Sequence, residues 1–380
     1  MRRLALGVAA LVGSSSFASA GGPREPHGQC WNEERKSFRA PCGPGNEMCG
    51  PASPQIAKFH IMDRSCPSGD TDFPFYDNVH GVYHVMYQDA VGGKHPTNTV
   101  IGHAVSRDFI HWSHMPVSIW HDHVYDAAAV FTGSATVVDG KPFLIYPGID
   151  ANHTFNLAMA IPANASDPLY TNWTKDRRPN FDVAVNPIVN GTSDDPSTAW
   201  RTAHGEWRFL ANGVGPQFKS AQGKPANSSF APIFAATNFT GQWRYVGDSP
   251  LLAGECGSLF PLPALYPGTA VSSDAEERAL PTHVHKRGCG PDTCVSWGAR
   301  GDHMTLGTWT DGSSVSDPGT WSPSSPERTI DMGNVYAGKS VALRHKRFNG
   351  SDLLSVRWKG TCAAVAASAA GAASAAGTDR

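Results

Sequence analysis

The stretch Gly102–Trp112, GHAVSRDFIHW, decides how the chain is read. GHAVS is a short β-strand, SRD a polar turn, and FIHW the start of a second, aromatic-flanked strand. The same rhythm extends on both sides. Val82–Tyr87, Phe143–Tyr146, Leu157–Ile161, Trp207–Ala211, Val295–Ala299 and Met304–Thr308 are apolar runs of strand length. Asp139-Gly140, Asn212-Gly213 and Asp311-Gly312 punctuate them as turns. No amphipathic helical stretch of useful length interrupts the pattern. Evenly returning strands and turns predict an all-β fold, either a β-propeller or a large sandwich. In a propeller the inner strand ends gather around one axis, so residues far apart in sequence can meet there.

The bulk numbers agree with a packed domain. The chain has 380 residues, 40% apolar and 17% charged, with a net charge of −2. Such a balance supports a hydrophobic core and gives no basic surface for nucleic acid or an anionic membrane. Gly 39, Pro 29 and Trp 11 suit a loop-rich β-protein with aromatic ligand surfaces.

The first residues read as a processing signal. Met1-Arg2-Arg3 is basic, Leu4–Val12 is a short apolar core, and Ala18-Ser19-Ala20 fits a small-residue cleavage site. Residues 1–20 are therefore expected to be a signal peptide and the product secreted. No apolar run is long enough to span a bilayer as a helix. In an oxidising compartment the eight Cys are expected to form disulfides, with Cys289 and Cys294 of CGPDTC the favoured local pair. The full connectivity stays open. Seven N-x-S/T sequons, at Asn152, Asn164, Asn172, Asn190, Asn227, Asn238 and Asn349, fit a glycosylated surface. Residues 21–55 read as a Cys/Gly/Pro-rich, irregular leader. Residues 56–345 form the β-domain, and 346–380 an irregular Ala/Ser-rich tail.

Five segments, the opening stretch among them, fall in a specific order: HGVYHVMYQ (His80–Gln88), the opening stretch, FTGSATVVDGKP (Phe131–Pro142), NPIVNGTSDDPSTAW (Asn186–Trp200) and GECGSLFPLP (Gly254–Pro263). GDHMTLGTW and DMGNVYAGKS follow. Over residues 56–341 this series resembles glycoside hydrolase family 32, the invertases, inulinases and fructan hydrolases. The resemblance implies a five-bladed β-propeller. Few residues follow 341, so an incomplete last blade and no C-terminal β-sandwich are expected.

The resemblance also implies roles. A retaining glycosidase needs a nucleophilic carboxylate and a protonated carboxyl about 5–5.5 Å apart across the scissile bond. Asp70 would be the nucleophile, Glu255 the acid/base, and Asp195 the group that holds sugar hydroxyls more tightly in the transition state. Gln88, Phe131, Thr132 and Asp194 would line the substrate. Each has a plainer reading: an Asp in a turn is ordinarily a turn former, and an Asp before Pro an ordinary loop start. Glu255, between Gly and Cys, is the hardest to dismiss in that way.

Departures from the family pattern cluster at this point. The family's nucleophile loop reads like NDPNG, whereas the aligned stretch is Gly69-Asp70-Thr71-Asp72-Phe73. Phe73 replaces a Gly whose backbone freedom Phe lacks. Asp72 is a second nucleophile candidate if the alignment slips. Asp194 stands where the family has Arg, which exchanges a forked cationic donor for an acceptor. The Trp that usually precedes the opening stretch is Ile101.

No metal or cofactor is expected. His84, His103, His111 and His114 read as core or surface histidines, and His121-Asp122-His123 as a weak chelator in a loop. The expected partner is sucrose or a fructan, with no nucleic acid and no membrane; the sequence is silent on oligomeric state. A carbohydrate-binding propeller without catalysis and a fructosyltransferase are the alternative readings.

Overall fold

In the computed structural model the described residues are 30–32, 37–39, 61, 68–89, 99–176, 186–191, 194–211, 230–261, 282–289, 301–330, 335–346 and 352–362. All regular structure among them is β. A small hairpin, β1 (Cys30–Asn32) with β2 (Ser37–Arg39), lies inside the stretch expected to be irregular.

The first large sheet runs β3 (Ser68–Asp77), β4 (Val82–Asp89), β5 (Val100–Ser106) and β6 (Ser113–Ile119) in sequence order. The second holds β7 (Ala129–Val130), β8 (Ser134–Val138), β9 (Lys141–Ile149), β10 (Phe155–Pro162) and β11 (Trp173–Thr174). The third is β12 (Trp200–Arg201), β13 (Trp207–Leu210), β14 (Phe230–Ala236) and β15 (Arg244–Leu252). The fourth is β16 (Glu255–Pro261), β17 (His283–Cys289), β18 (Gly301–Thr310), β19 (Thr320–Pro323) and β20 (Arg328–Thr329). Each is antiparallel and follows chain order except that β7 pairs β9 and β20 pairs β18, and such meanders are the signature of propeller blades.

A last pair, β21 (Val335–Lys346) and β22 (Asp352–Cys362), forms a two-stranded sheet. β21 packs against β3 at one side and β16, β17 and β18 at the other, so it links the fourth sheet to the first. β22 lies in the region expected to be an irregular tail. Its DLLSVRW segment has the β-propensity to continue the pattern, which the alanine-rich residues after it obscured.

The cores lie between successive sheets. Phe73, Phe75, Met86 and Ile101 of the first meet Leu144, Tyr146, Ala158 and Ala160 of the second. Ile145, Leu157 and Met159 of the second join Phe209, Phe234 and Trp243 of the third. Leu210, Ile233 and Leu251 of the third join Leu259 and Trp309 of the fourth. The opening stretch folds in part as read: β5 is buried along its whole length, but FIHW, expected to start the second strand, belongs to the turn of residues 107–112, and β6 begins at Ser113. Asp108 closes that turn by accepting from the backbone N–H of Ile110 at 2.8 Å and of His111 at 2.7 Å. Asp139 and Gly140, with φ of 51° and 75°, make the tight hairpin between β8 and β9.

Some expectations are redirected. Val295–Ala299, Asn212-Gly213 and the Cys294 end of CGPDTC lie outside the described residues. Cys256, expected in a disulfide, is a buried free thiol on β16. Five sequon asparagines, Asn152, Asn164, Asn172, Asn190 and Asn238, are exposed.

Gly102 faces Tyr87 across β4 and β5, and a Cβ at Gly102 would lie 2.4 Å from the tyrosine ring. Tyr87 is held there by a 2.9 Å hydrogen bond between its hydroxyl and His114 Nδ1. Gly102→Ala should therefore destabilise the domain by about 1–3 kcal/mol, the usual cost of overpacking. Urea unfolding of the two proteins, compared at equal m-value, checks this.

Candidate active site

Five carboxyl groups converge where the sheets meet. Asp70 sits on β3, and although part of the residue is open to solvent, its carboxyl is closely surrounded. Thr132, in the link between β7 and β8, donates to Asp70 Oδ2 at 3.2 Å. Gln88 of β4 in turn donates from Nε2 to Thr132 Oγ1 at 2.7 Å. This chain of three groups fixes one face of Asp70, and it joins three residues that the sequence places in the site.

Asp195 is buried in the loop before β12 and accepts the backbone N–H of Cys256 at Oδ2, 2.7 Å away. Its own N–H donates to Asp194 Oδ1 at 2.7 Å, so Asp194 faces back along the loop. Glu255 opens β16 one residue before Cys256, half-buried. The bond from Cys256 to Asp195 therefore ties the Asp195 loop to the strand end that carries Glu255. Phe131 is half-buried with its ring 5.9 Å from Phe155, and it enters the site as the residue preceding Thr132.

Electrostatics confirm the convergence. Burial, then the charge of Asp195, push Asp70 up to about 7; Glu255 adds to the rise, while the Thr132 hydrogen bond and Lys286 oppose it. Asp194 and Asp195 are both raised, first by burial. Lys339 is the strongest influence lowering Asp195, followed by the Cys256 N–H. Such groups share protons as a set, so each titration belongs to the cluster.

Sequence reading passed over Lys286, Asp302 and Lys339 and gave Asp72 only a secondary place. Asp72, weighed only as a substitute nucleophile, is fully buried with neither carboxylate oxygen hydrogen-bonded. Burial and the charge of Asp70 hold its pKa far above the usual carboxylate range. Lys286 on β17 is fully buried, with an ion-pair contact of 3.0 Å to Asp302 Oδ1 on β18. It also donates to the carbonyls of Cys256 and Gly338. Asp302 Oδ2 accepts the N–H of Gly338 at 2.6 Å. Lys339 is 2% exposed and donates to Ser134 Oγ at 3.1 Å. The available signal was a Lys inside a strand-length segment, in HVHKRG and YAGKS, where an exposed strand face is the ordinary explanation.

The backbone is bent at the site. Phe73, Asp195, Cys256 and Ala337 all have positive φ, at 46°, 47°, 53° and 58°. Phe73 thus occupies the left-handed region that favours glycine, at a cost of roughly 1–3 kcal/mol. Its ring fills the space beside Gly133, where a Cβ would lie 2.4 Å from the phenyl carbons.

The remaining histidine and acidic clusters are structural. His84 and His103 are buried, with His84 Nδ1 and His103 Nε2 3.0 Å apart, and burial holds both near 3 and neutral. Asp122, His123 and Asp126 approach one another as metal ligands would. The ammonium of Lys175 already lies between Asp122 and Asp126, so a side chain occupies the cation's place.

Comparison with known proteins places this geometry. The family model described as Glycosyl hydrolases family 32 N-terminal domain matches residues 68–351. Beta-fructofuranosidase 1 of Zea mays is 32% identical over 313 residues, covering 75% of this chain and 42% of that protein. Acid beta-fructofuranosidase 4, vacuolar, of Arabidopsis thaliana is 30% identical over 314 residues, covering 77% and 42%. The chain thus spans under half the length of these curated relatives. Among solved structures, fructan 1-exohydrolase IIa from Cichorium intybus superposes with a TM-score of 0.54 at 23% identity, covering 75% of this chain and 50% of that one. At that identity the superposition shows the fold, a β-propeller.

The Lys286–Asp302 pair supports both Cys256 and Gly338, and removing one partner strands a buried charge. Asp302→Ala should cost about 3–5 kcal/mol. Urea unfolding at pH 7 measures the loss, and a change under 1 kcal/mol would show that the pair holds nothing in place.

Proposed function

The chain belongs to glycoside hydrolase family 32, and from that membership we propose that it is a β-fructofuranosidase-like retaining hydrolase of sucrose or fructans. The observation that carries the reading is the gathering of Asp70, Asp195 and Glu255, from three separate sheets and loops, around one point. Asp70 attacks the fructosyl carbon as the aglycone oxygen takes the proton of Glu255. The resulting covalent fructosyl-enzyme is opened by water, which Glu255 deprotonates. Asp195 accepts hydrogen bonds from fructosyl hydroxyls, and these strengthen as positive charge develops on the ring. Gln88 and Thr132 hold Asp70 in line, and Phe131 and Asp194 border the sugar. None of these steps calls for a cofactor.

The same reading covers the organisation of the chain. The β21–β22 sheet, packed between the fourth sheet and the first, serves as the fifth blade of the propeller with its outer strands incomplete. Residues 1–20 direct export and residues 21–55 precede the domain as a leader; the domain, expected over 56–345, runs on through β22 to Cys362, and the Ala/Ser-rich residues after it form the tail. The five exposed sequon asparagines are consistent with a secreted glycoprotein.

The experiment is incubation of the purified protein with sucrose, inulin and levan, followed by sugar analysis. Free fructose is the expected product. Asp70→Asn and Glu255→Gln should each abolish its release while leaving the unfolding transition in place. Binding of fructan without any release would instead favour a non-catalytic propeller, a reading motivated by the acid at Asp194 and the phenylalanine at Phe73. Growth of oligofructans beyond free fructose at high sucrose would mark a fructosyltransferase.

The pH dependence has a definite sign. Asp70 attacks only when ionised, and its pKa is raised to about 7, so kcat/KM should fall as pH drops through that region. Asp195 is the largest neighbouring charge acting on it. In Asp195→Asn the acid limb of the residual kcat/KM should therefore move to lower pH. An unmoved limb would show that Asp70 does not feel that charge.

A further inference from the structure

Two residues, Ala253 and Gly254, carry the chain from β15 of the third sheet into β16 of the fourth, and they end at Glu255. A two-residue link with a glycine in it can swing unless something outside it holds it. An acid/base tolerates little such movement, because a misplacement of about 1 Å costs on the order of 10²-fold in rate. Beyond Glu255 the chain is held by the Cys256 N–H on Asp195 and by Lys286 on the Cys256 carbonyl. Before Glu255 it is held by Arg287, the next residue of β17.

Arg287 is buried, and all its contacts are strong. Its Nε and Nη2 donate to the two carboxylate oxygens of Glu327, at 2.6 and 2.9 Å, from the segment between β19 and β20. Such a fork fixes the plane of the guanidinium, so its third nitrogen has one direction left. Nη1 donates to the Ala253 carbonyl at 3.1 Å. Gly254 lies flat against the same side chain: a Cβ there would stand 2.8 Å from Arg287 Cβ and 2.7 Å from the Gly288 carbonyl oxygen. Gly288 is the cross-strand partner of Glu255, and a Cβ on it would come within 2.7 Å of the Glu255 carbonyl oxygen. Glycine at both positions lets the two backbones close on each other. We propose that Arg287, locked by Glu327, is a positioning residue for Glu255: it anchors the Ala253 carbonyl and so fixes where the acid/base enters the site. Arg287 touches no reacting atom; it acts through the backbone that carries Glu255. The inference rests on Glu255 being the acid/base of the proposed hydrolase.

The test compares two leaving groups on the full chain. The glucose of sucrose needs the proton of Glu255 to depart, whereas the fluoride of β-D-fructofuranosyl fluoride departs with little help from an acid. The ratio of kcat/KM for the two substrates therefore reads how well the acid is placed. In Arg287→Met, which keeps an unbranched stem and removes the fork, kcat/KM for sucrose should fall about tenfold or more, through kcat rather than KM, while that for the fluoride falls less than about threefold. Glu327→Gln, which keeps the arginine and loosens its fork, should move the ratio in the same direction. An equal fall for both substrates overturns the proposal, since loss of folded enzyme or of packing scales the two alike. Unchanged rates on both overturn it as well. Should Arg287→Met not fold, Glu327→Gln decides alone; if neither folds, the pair serves only the fold and the proposal is overturned. A wild-type protein that releases fructose from neither substrate overturns the hydrolase reading, and this one with it. Wild-type activity with an unmoved ratio overturns this one alone.

Discussion

The arrangement depends on the buried ammonium of Lys286. It contacts Asp302 on β18, the Cys256 carbonyl on β16 and the Gly338 carbonyl on β21. Asp302 then takes the Gly338 N–H, so the two-stranded sheet is tied to the fourth sheet through both backbone polar groups of Gly338. Cys256 passes the constraint on, because its N–H holds Asp195. A single cation thus couples closure of the sheet ring to the placement of Glu255 and Asp195. A hydrophobic contact could close the ring as well, but it would not orient the Cys256 peptide.

The cluster illustrates how an all-β ring concentrates charge. The first sheet, the loop before the third and the fourth sheet each contribute one or two acids, which is unremarkable within any one of them. Only their convergence makes burial costly, raising Asp70, Asp72, Asp194 and Asp195 together. Four backbone bends, at Phe73, Asp195, Cys256 and Ala337, accompany the acids and the lysine. Positive φ at non-glycine residues is stored strain, and here it is found where side chains must be turned towards a common point.

Much of the fold was legible because strand length and turn chemistry are local. GHAVSRDFIHW showed its strand and turn through residues whose roles are set by immediate neighbours, such as Asp108 with the amides that follow it. The outer acids were legible through ordered motifs, and the structure brings Asp70, Gln88, Thr132, Asp194, Asp195 and Glu255 together. What stayed hidden was non-local. Lys339 finds Ser134 across 205 residues of chain, and nothing adjacent to it distinguishes a buried lysine from a solvated one. The free thiol of Cys256 was concealed in the same way, because compartment chemistry favours pairing while its burial is set by the surrounding strands. Asp72 looked like a neighbour of the important acid; its burial without a hydrogen-bond partner is a property of the surrounding sheets.

The contact between Phe73 and Gly133 restricts how this chain can change. The phenyl ring occupies the volume over Gly133, and Gly133 tolerates that ring only because it has no side chain. Restoring glycine at Phe73 would relax the backbone but empty a fully buried site. Adding a side chain at Gly133 first would collide with the ring. Neither single step is neutral, so the order of mutations matters: the two positions form an epistatic pair, and the packing of this loop is a ratchet that one substitution does not reverse.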